Sequence, residues 1–145
     1  MAANSRLTIA VHALAWLALA HQRGQDRLTS DQVAASVNAN PVILRMSLGR
    51  LRRADLVEVG RGTRAGWWLA RPPEQISLLA VYDAIGAHPL FAMHHTEPNQ
   101  ECPVGRGIRP ALDEVYAGVD DAVRHTLGRR TIADVLHETL QWSEQ

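Results

Sequence analysis

Few side chains in this sequence stand out as candidates for covalent or acid-base chemistry. There is a single cysteine, Cys102, and the histidines that stand out are His12, His94 and His95. A nucleophilic enzyme needs a nucleophile, a base and a group that orients the base. Those residues and Asp83 are the candidates, and none lies in a recognised catalytic motif, so no enzyme is expected. One thiol cannot close an intramolecular disulfide, and it falls far short of the four thiolates of a zinc ribbon or of a cluster held by one chain. Two adjacent histidines rarely bind one ion, so His94 and His95 read as exposed loop residues and no metal is expected. Gly60, Gly62 and Gly66 imitate a dinucleotide fingerprint, but the spacing is one residue too long and a strand follows. No cofactor is expected.

Cys102 has two readings. Just ahead of a helix N-terminus, its thiolate would be favoured by the helix dipole, which would make it a sensor for a small oxidant or electrophile. Otherwise it is a small, inert thiol. His12 would either be a hydrogen-bonded core residue or meet the partner's Cys102 across a dimer.

The other chemically suggestive feature is arginine. All fifteen basic residues are arginine, and seven lie between Arg45 and Arg71. Residues 1–72 hold 10 Arg against 4 acidic residues, whereas residues 73–145 hold 5 against 11, although the formal charge is zero. The planar guanidinium fork suits phosphates and guanine edges, and a clustered basic half points to a polyanion. A solvated charged face would look the same by charge alone.

The elements that position these arginines decide between the two. The 145 residues suit one ordinary domain, or a compact domain with a helical extension, and 46% hydrophobic with 21% charged residues describes a soluble globular chain. Leu7 to Ala20 imitates a secretory signal, but His12 interrupts it and it is too short to span a bilayer. It reads as a helix enclosed on more than one side, and the chain as cytoplasmic, with no membrane partner. A short helix capped by Thr29 or Ser30 precedes the breaker Asn38-Ala39-Asn40-Pro41. The next helix begins with Asn40 as cap and Pro41 at its first position, and Ile43, Leu44, Leu48 and Leu51 form its apolar stripe. Two helices joined by a tight turn, the second rich in arginine, are what a reader of the major groove needs.

After that helix Asp55 sits where the chain must reverse in left-handed geometry. Leu56 to Val59 and Trp67 to Ala70 read as strands around the loop 60–66, a β-wing whose Arg61 and Arg64 are placed for phosphates or a minor groove. A short helix over about 77–85 follows, ended by Gly86, and then a proline-bounded loop. From residue 104 or 106 to about 127 a long helix carries Ile108, Leu112, Val115, Val119, Ala122 and Val123 or Thr126 at alternating steps of four and three, a seam for a partner helix. Thr131 and Asp134 open the last helix on a capping-box pattern.

Leu7-Thr8 with Ala13-Leu14, Ala54-Asp55-Leu56-Val57, Arg61-Gly62 to Gly66 and Leu69-Ala70-Arg71-Pro72 with Ile76 together resemble the Rrf-two (IscR-type) family of winged helix-turn-helix transcriptional regulators, over nearly the whole chain. His95, Pro98-Asn99 and Cys102-Pro103-Val104-Gly105 are similar to its YwnA-like single-cysteine subgroup. The family usually has Gly where Asp55 and Ala65 stand, and its cluster-binding members carry three cysteines where this chain has Cys102. The resemblance implies a mainly α fold with a small β-wing and a long C-terminal dimerisation helix. It divides the chain into a winged helix-turn-helix over 1–86, a sensor-type loop over 87–103, and the dimerisation and C-terminal helices over 104–145. It implies a homodimer that binds a palindromic operator in double-stranded DNA, most often as a repressor. Arg45, Ser47, Arg50 and Arg53 would then act on or beside the reading helix, and Arg61 and Arg64 on the wing. A winged-helix interaction module without DNA, or a regulator answering a small ligand without thiol chemistry, are the alternatives.

Overall fold

A computed structural model describes residues 5–86 and 89–145. Its order is α1 (Arg6–Gln22), α2 (Ser30–Val37), α3 (Pro41–Arg53), β1 (Val57–Gly60), β2 (Gly66–Leu69), α4 (Leu78–Ala84), α5 (Pro103–Gly128) and α6 (Ile132–Ser143), with short 3-10 turns at Gly62–Arg64 and Pro73–Gln75. The described residues fall into two compact units, one made of residues up to 86 with 127–145, the other of residues 89–126.

In the first unit α1 is the central element. Ala10, Ala13, Leu14, Leu17, Ala18 and Ala20 are buried, and the helix packs against α2, α3, α4, α6 and β2. The small side chains explain why its apolar residues have no single face: alanine lets neighbours approach closely from several directions. His12 is the exception, because it is exposed and its Nε2 lies 3.1 Å from the Ser36 hydroxyl on α2. Of the two readings of His12, the core residue is therefore not what is found, although its ring does make a hydrogen bond.

The helices begin where local chemistry satisfies their free N–H groups. Thr29 and Gln32 form a reciprocal capping box on α2, and the Asn40 side chain accepts from the Val42 N–H at 2.9 Å ahead of Pro41 on α3. Asn38, at φ 56°, ends α2 in the left-handed region. After α3 the chain reverses at Asp55, φ 59°, as its position required. The strands pair antiparallel with Val57 opposite Leu69 and Gly60 opposite Gly66. Leu28 extends this hairpin from its other side, exchanging backbone hydrogen bonds with Trp67 at 3.1 and 2.7 Å.

The C-terminal boundary differs from the expectation. α6 packs on α1, and the segment before it pairs with the residues leading into α4, Leu78 N–H to Arg130 carbonyl and Ile132 N–H to Ile76 carbonyl, each at 2.9 Å. Ile132 and Leu136 are buried in the first unit's core. The last helix thus completes the winged-helix unit instead of joining the long helix in a separate region 104–145. The cause is the apolar face of α6, which needs a core to cover it.

α5, which has 26 residues and none buried, lies in the second unit up to Thr126. The loop before it is folded back on its first turns. Arg109 Nη2 donates to the His94 and Thr96 carbonyls at 2.9 and 3.0 Å, and Arg106 Nη1 to the Gln100 carbonyl at 3.2 Å. A Cβ at Gly105 would lie 2.0 Å from the Asn99 carbonyl oxygen, so only glycine admits this close approach.

Candidate nucleic-acid interface

α3 divides cleanly into two faces. Leu44, Ser47, Leu48 and Leu51 are buried, while Val42, Arg45, Met46, Arg52 and Arg53 are exposed with Gly49 between them. Positions 42, 45, 46, 49, 52 and 53 follow helical spacing and make one outward stripe. It carries three guanidinium groups and two apolar side chains, Val42 and Met46, each 56% exposed. Among the described residues an added Cβ at Gly49 would meet nothing within 4 Å, so the stripe is shallowest at its middle.

Three expected placements change. Ser47 is only 7% exposed, because it shares the inward face of Leu44, Leu48 and Leu51. It faces the core and not the outward stripe. Arg50 is half-buried and its Nη1 donates to the Ile85 carbonyl at the end of α4, at 2.8 Å, so it ties α3 to α4 rather than pointing into a groove. Ile43, assigned to the core stripe, is 46% exposed. The missing members of the outward stripe, Val42, Met46, Gly49 and Arg52, were legible only as whatever the core did not take.

On the wing, Arg61 and Arg64 are exposed on either side of the tip. The tip is a 3-10 turn with Gly62 at φ 66°, and the Arg64 N–H donates to the Arg61 carbonyl at 3.3 Å. Gly49, Arg52 and Arg53 of α3 line a shallow pocket with Asp55 and Trp67, so the C-terminal half of the helix and the base of the wing form one surface. Arg71 braces that junction, with Nε 3.3 Å from the Asp55 carbonyl and Nη2 3.5 Å from that of Ala54. Those carbonyls end α3, where a cation complements the helix dipole.

Cys102 is free and exposed. Its backbone carbonyl accepts the Arg106 N–H at 3.0 Å, which puts it at the residue just before α5, as expected. His94 and His95 are exposed, their rings edge to face at 4.6 Å. Cys102 and the two loop histidines belong to the second unit, and His12 to the first. On α5 the expected seam is partly covered at Leu112, Val119 and Val123, and open at Ile108 and Val115, which is 57% exposed.

Two helices joined by a tight turn, followed by a hairpin wing, with arginines facing outward on the second helix and on the wing tip, define a winged helix-turn-helix. Residues 3–138 match the Rrf2 model, described as an iron-dependent transcriptional regulator, and the chain belongs to this family. The family consists of transcriptional regulators, not enzymes. The chain is 37% identical over 135 residues to YwnA of Bacillus subtilis, named as an HTH-type transcriptional regulator, covering 92% of this chain and 96% of YwnA. A crystal structure described as that of a DNA-binding protein superposes with a TM-score of 0.72 at 33% identity, covering 91% of this chain and 99% of the other. IscR from T. potens shares the fold, with a TM-score of 0.70, 19% identity and coverage of 96% and 88%.

The family description names iron. Among the described residues no three His, Cys, Asp or Glu side chains are placed to hold a metal ion, and the loop contributes one exposed thiol. The donors among the described residues do not fit an iron or cluster site within one chain. Among the described residues no helix is long and apolar enough to cross a membrane.

Proposed function

We propose that this regulator binds a palindromic operator in double-stranded DNA as a homodimer and acts as a repressor. The observation that carries the reading is the outward stripe of α3, three arginines around Val42, Met46 and Gly49, on a helix whose other face is core. Such a helix fits a major groove about 12 Å wide. Its guanidinium groups suit phosphates and guanine edges, and its apolar centre suits thymine methyls. Arg45, Arg52 and Arg53 on the helix and Arg61 and Arg64 on the wing supply the contacts; Ser47 and Arg50 support the helix from behind.

The homodimer is favoured by α5, whose apolar row has no buried residue and is open at Ile108 and Val115. Large exposed apolar rows of this kind are covered by partners. The regulator works without a resident cluster. Its signal reaches Cys102, exposed at the start of α5, where a small oxidant or electrophile would modify the thiol. The loop that holds Cys102 is fastened to α5 through Arg106 and Arg109, so an adduct there would bear directly on the dimer helix.

Selection of duplexes from a random pool tests the reading. The expected product is an inverted repeat with half-site centres about 34–36 Å apart, protected by a dimer. Graded peroxide should change its binding to wild type and not to Cys102→Ser. Absence of any enriched duplex would reject DNA binding. Equal responses of wild type and Cys102→Ser would transfer the signal to a ligand that does not use the thiol.

A further inference from the structure

A two-stranded hairpin is marginal by itself, and its tip is the part with least to hold it. Here one side chain from outside the hairpin meets it at several places. Arg27 lies in the link between α1 and α2, immediately before the Leu28 that pairs with Trp67. Its Nη1 donates to the Arg64 carbonyl at 2.9 Å, and its guanidinium carbon sits 3.8 Å from the centroid of the Trp68 ring. The glycines that close the ladder next to the tip mark its path. A Cβ at Gly60 would come within 2.5 Å of Arg27 Nη1 and 2.0 Å of the Arg64 carbonyl, and one at Gly66 within 3.0 Å of Arg27 Cβ. Gly60 and Gly66, which face each other across the ladder, leave the space through which the arginine crosses.

We propose that Arg27 is the positioning residue of the wing: by holding the Arg64 carbonyl against a stacked guanidinium it fixes the direction in which Arg61 and Arg64 leave the hairpin. The inference rests on the reading of the wing as a phosphate-binding element. It goes beyond that reading because Arg27 belongs neither to the reading helix nor to the wing. Lysine could not replace it, since the role needs a planar group that stacks on indole while one edge donates to a carbonyl. A tip ordered before binding loses less conformational freedom when it meets a phosphate, which is the source of the gain in affinity.

The test compares wild type, Arg27→Ala, Arg27→Lys, Arg61→Ala/Arg64→Ala and the triple alanine variant. Amide hydrogen exchange of residues 61–66 is followed in the free proteins, and affinity for one duplex is measured alongside. Exchange in α1 and α6 monitors the rest of the fold. Arg27→Ala should speed exchange at the tip while α1 and α6 stay protected, and should weaken DNA binding by up to about tenfold, the cost of ordering a loosened tip on the phosphate. Arg27→Lys should restore neither property. In the Arg61→Ala/Arg64→Ala background, removing Arg27 should cost nothing further. Unchanged exchange at the tip, rescue by lysine, or a full additional loss in the triple variant would each overturn the proposal, the last by showing that Arg27 touches DNA itself. If wild type binds no duplex, the DNA reading fails by itself, and the exchange data still decide whether Arg27 orders the tip.

Discussion

Gly49 sits in the interior of a helix, where alanine would be favoured by about 0.5–1 kcal/mol. Nothing among the described residues occupies the space its side chain would fill. A helix that must lie close to another surface gives a reason for that choice, because the missing Cβ lowers the centre of the outward stripe. Gly49→Ala should therefore raise stability in urea melts by about 0.5–1 kcal/mol and weaken binding to the selected duplex. A variant that is more stable and binds as well would show that position 49 does not face DNA. Arg50 makes the opposite case. Since its guanidinium donates to the Ile85 carbonyl, Arg50→Ala should cost about 1 kcal/mol of stability and leave the salt dependence of binding unaltered. A stable variant with a shallower salt slope would return Arg50 to the interface.

At the scale of elements, the ends of helices are set by chemistry within a few residues. The Asn40-Pro41 start, the reversal at Asp55 and the box formed by Thr131 and Asp134 were all legible in the sequence for that reason. What was not legible depends on distant partners. Leu28 pairs with Trp67, far along the chain, and no local pattern marks Leu28 as a bridge to the hairpin or Arg27 as its companion. Ser47 shows the same limit, since a polar residue at a core position reads as an outward contact until the packing of its neighbours is known. α6 followed a correct local pattern to the wrong partner, because an amphipathic stripe says that a core is needed and not which one. The α6 cap also titrates. Hydrogen bonds from the Thr131 backbone and side chain hold the Asp134 carboxyl below its ordinary range. A depressed folded value means that the cap stabilises above the unfolded pKa and that this is lost as the pH falls through the folded one. The melting difference between wild type and Asp134→Asn should accordingly be present at neutral pH and close as the solution is acidified below the usual aspartate range. A difference that persists undiminished in acid would show that the charge of Asp134 is not what caps α6.

On the whole-molecule scale, the family and the winged fold were readable because the motif residues lie in order along nearly the entire chain. Assembly was readable only as an apolar period in α5, none of whose residues is buried within one protomer. Val115→Glu/Val119→Glu should give monomers or aggregates by light scattering and lose operator binding. Retention of a dimer with unaltered affinity would place the interface elsewhere. The central claim is that two arginine-bearing elements, the outward face of α3 and the wing tip, hold DNA together. Its most direct measurement is duplex affinity across a salt series for wild type, Arg45→Ala and Arg64→Ala. Phosphate contacts release counterions, so log affinity should fall linearly with log salt, and each alanine variant that removes a phosphate contact should reduce the slope by about one. Saturable binding by wild type with both variants shallower is the predicted result; a wild-type affinity indifferent to salt, or identical slopes for all three proteins, would contradict it.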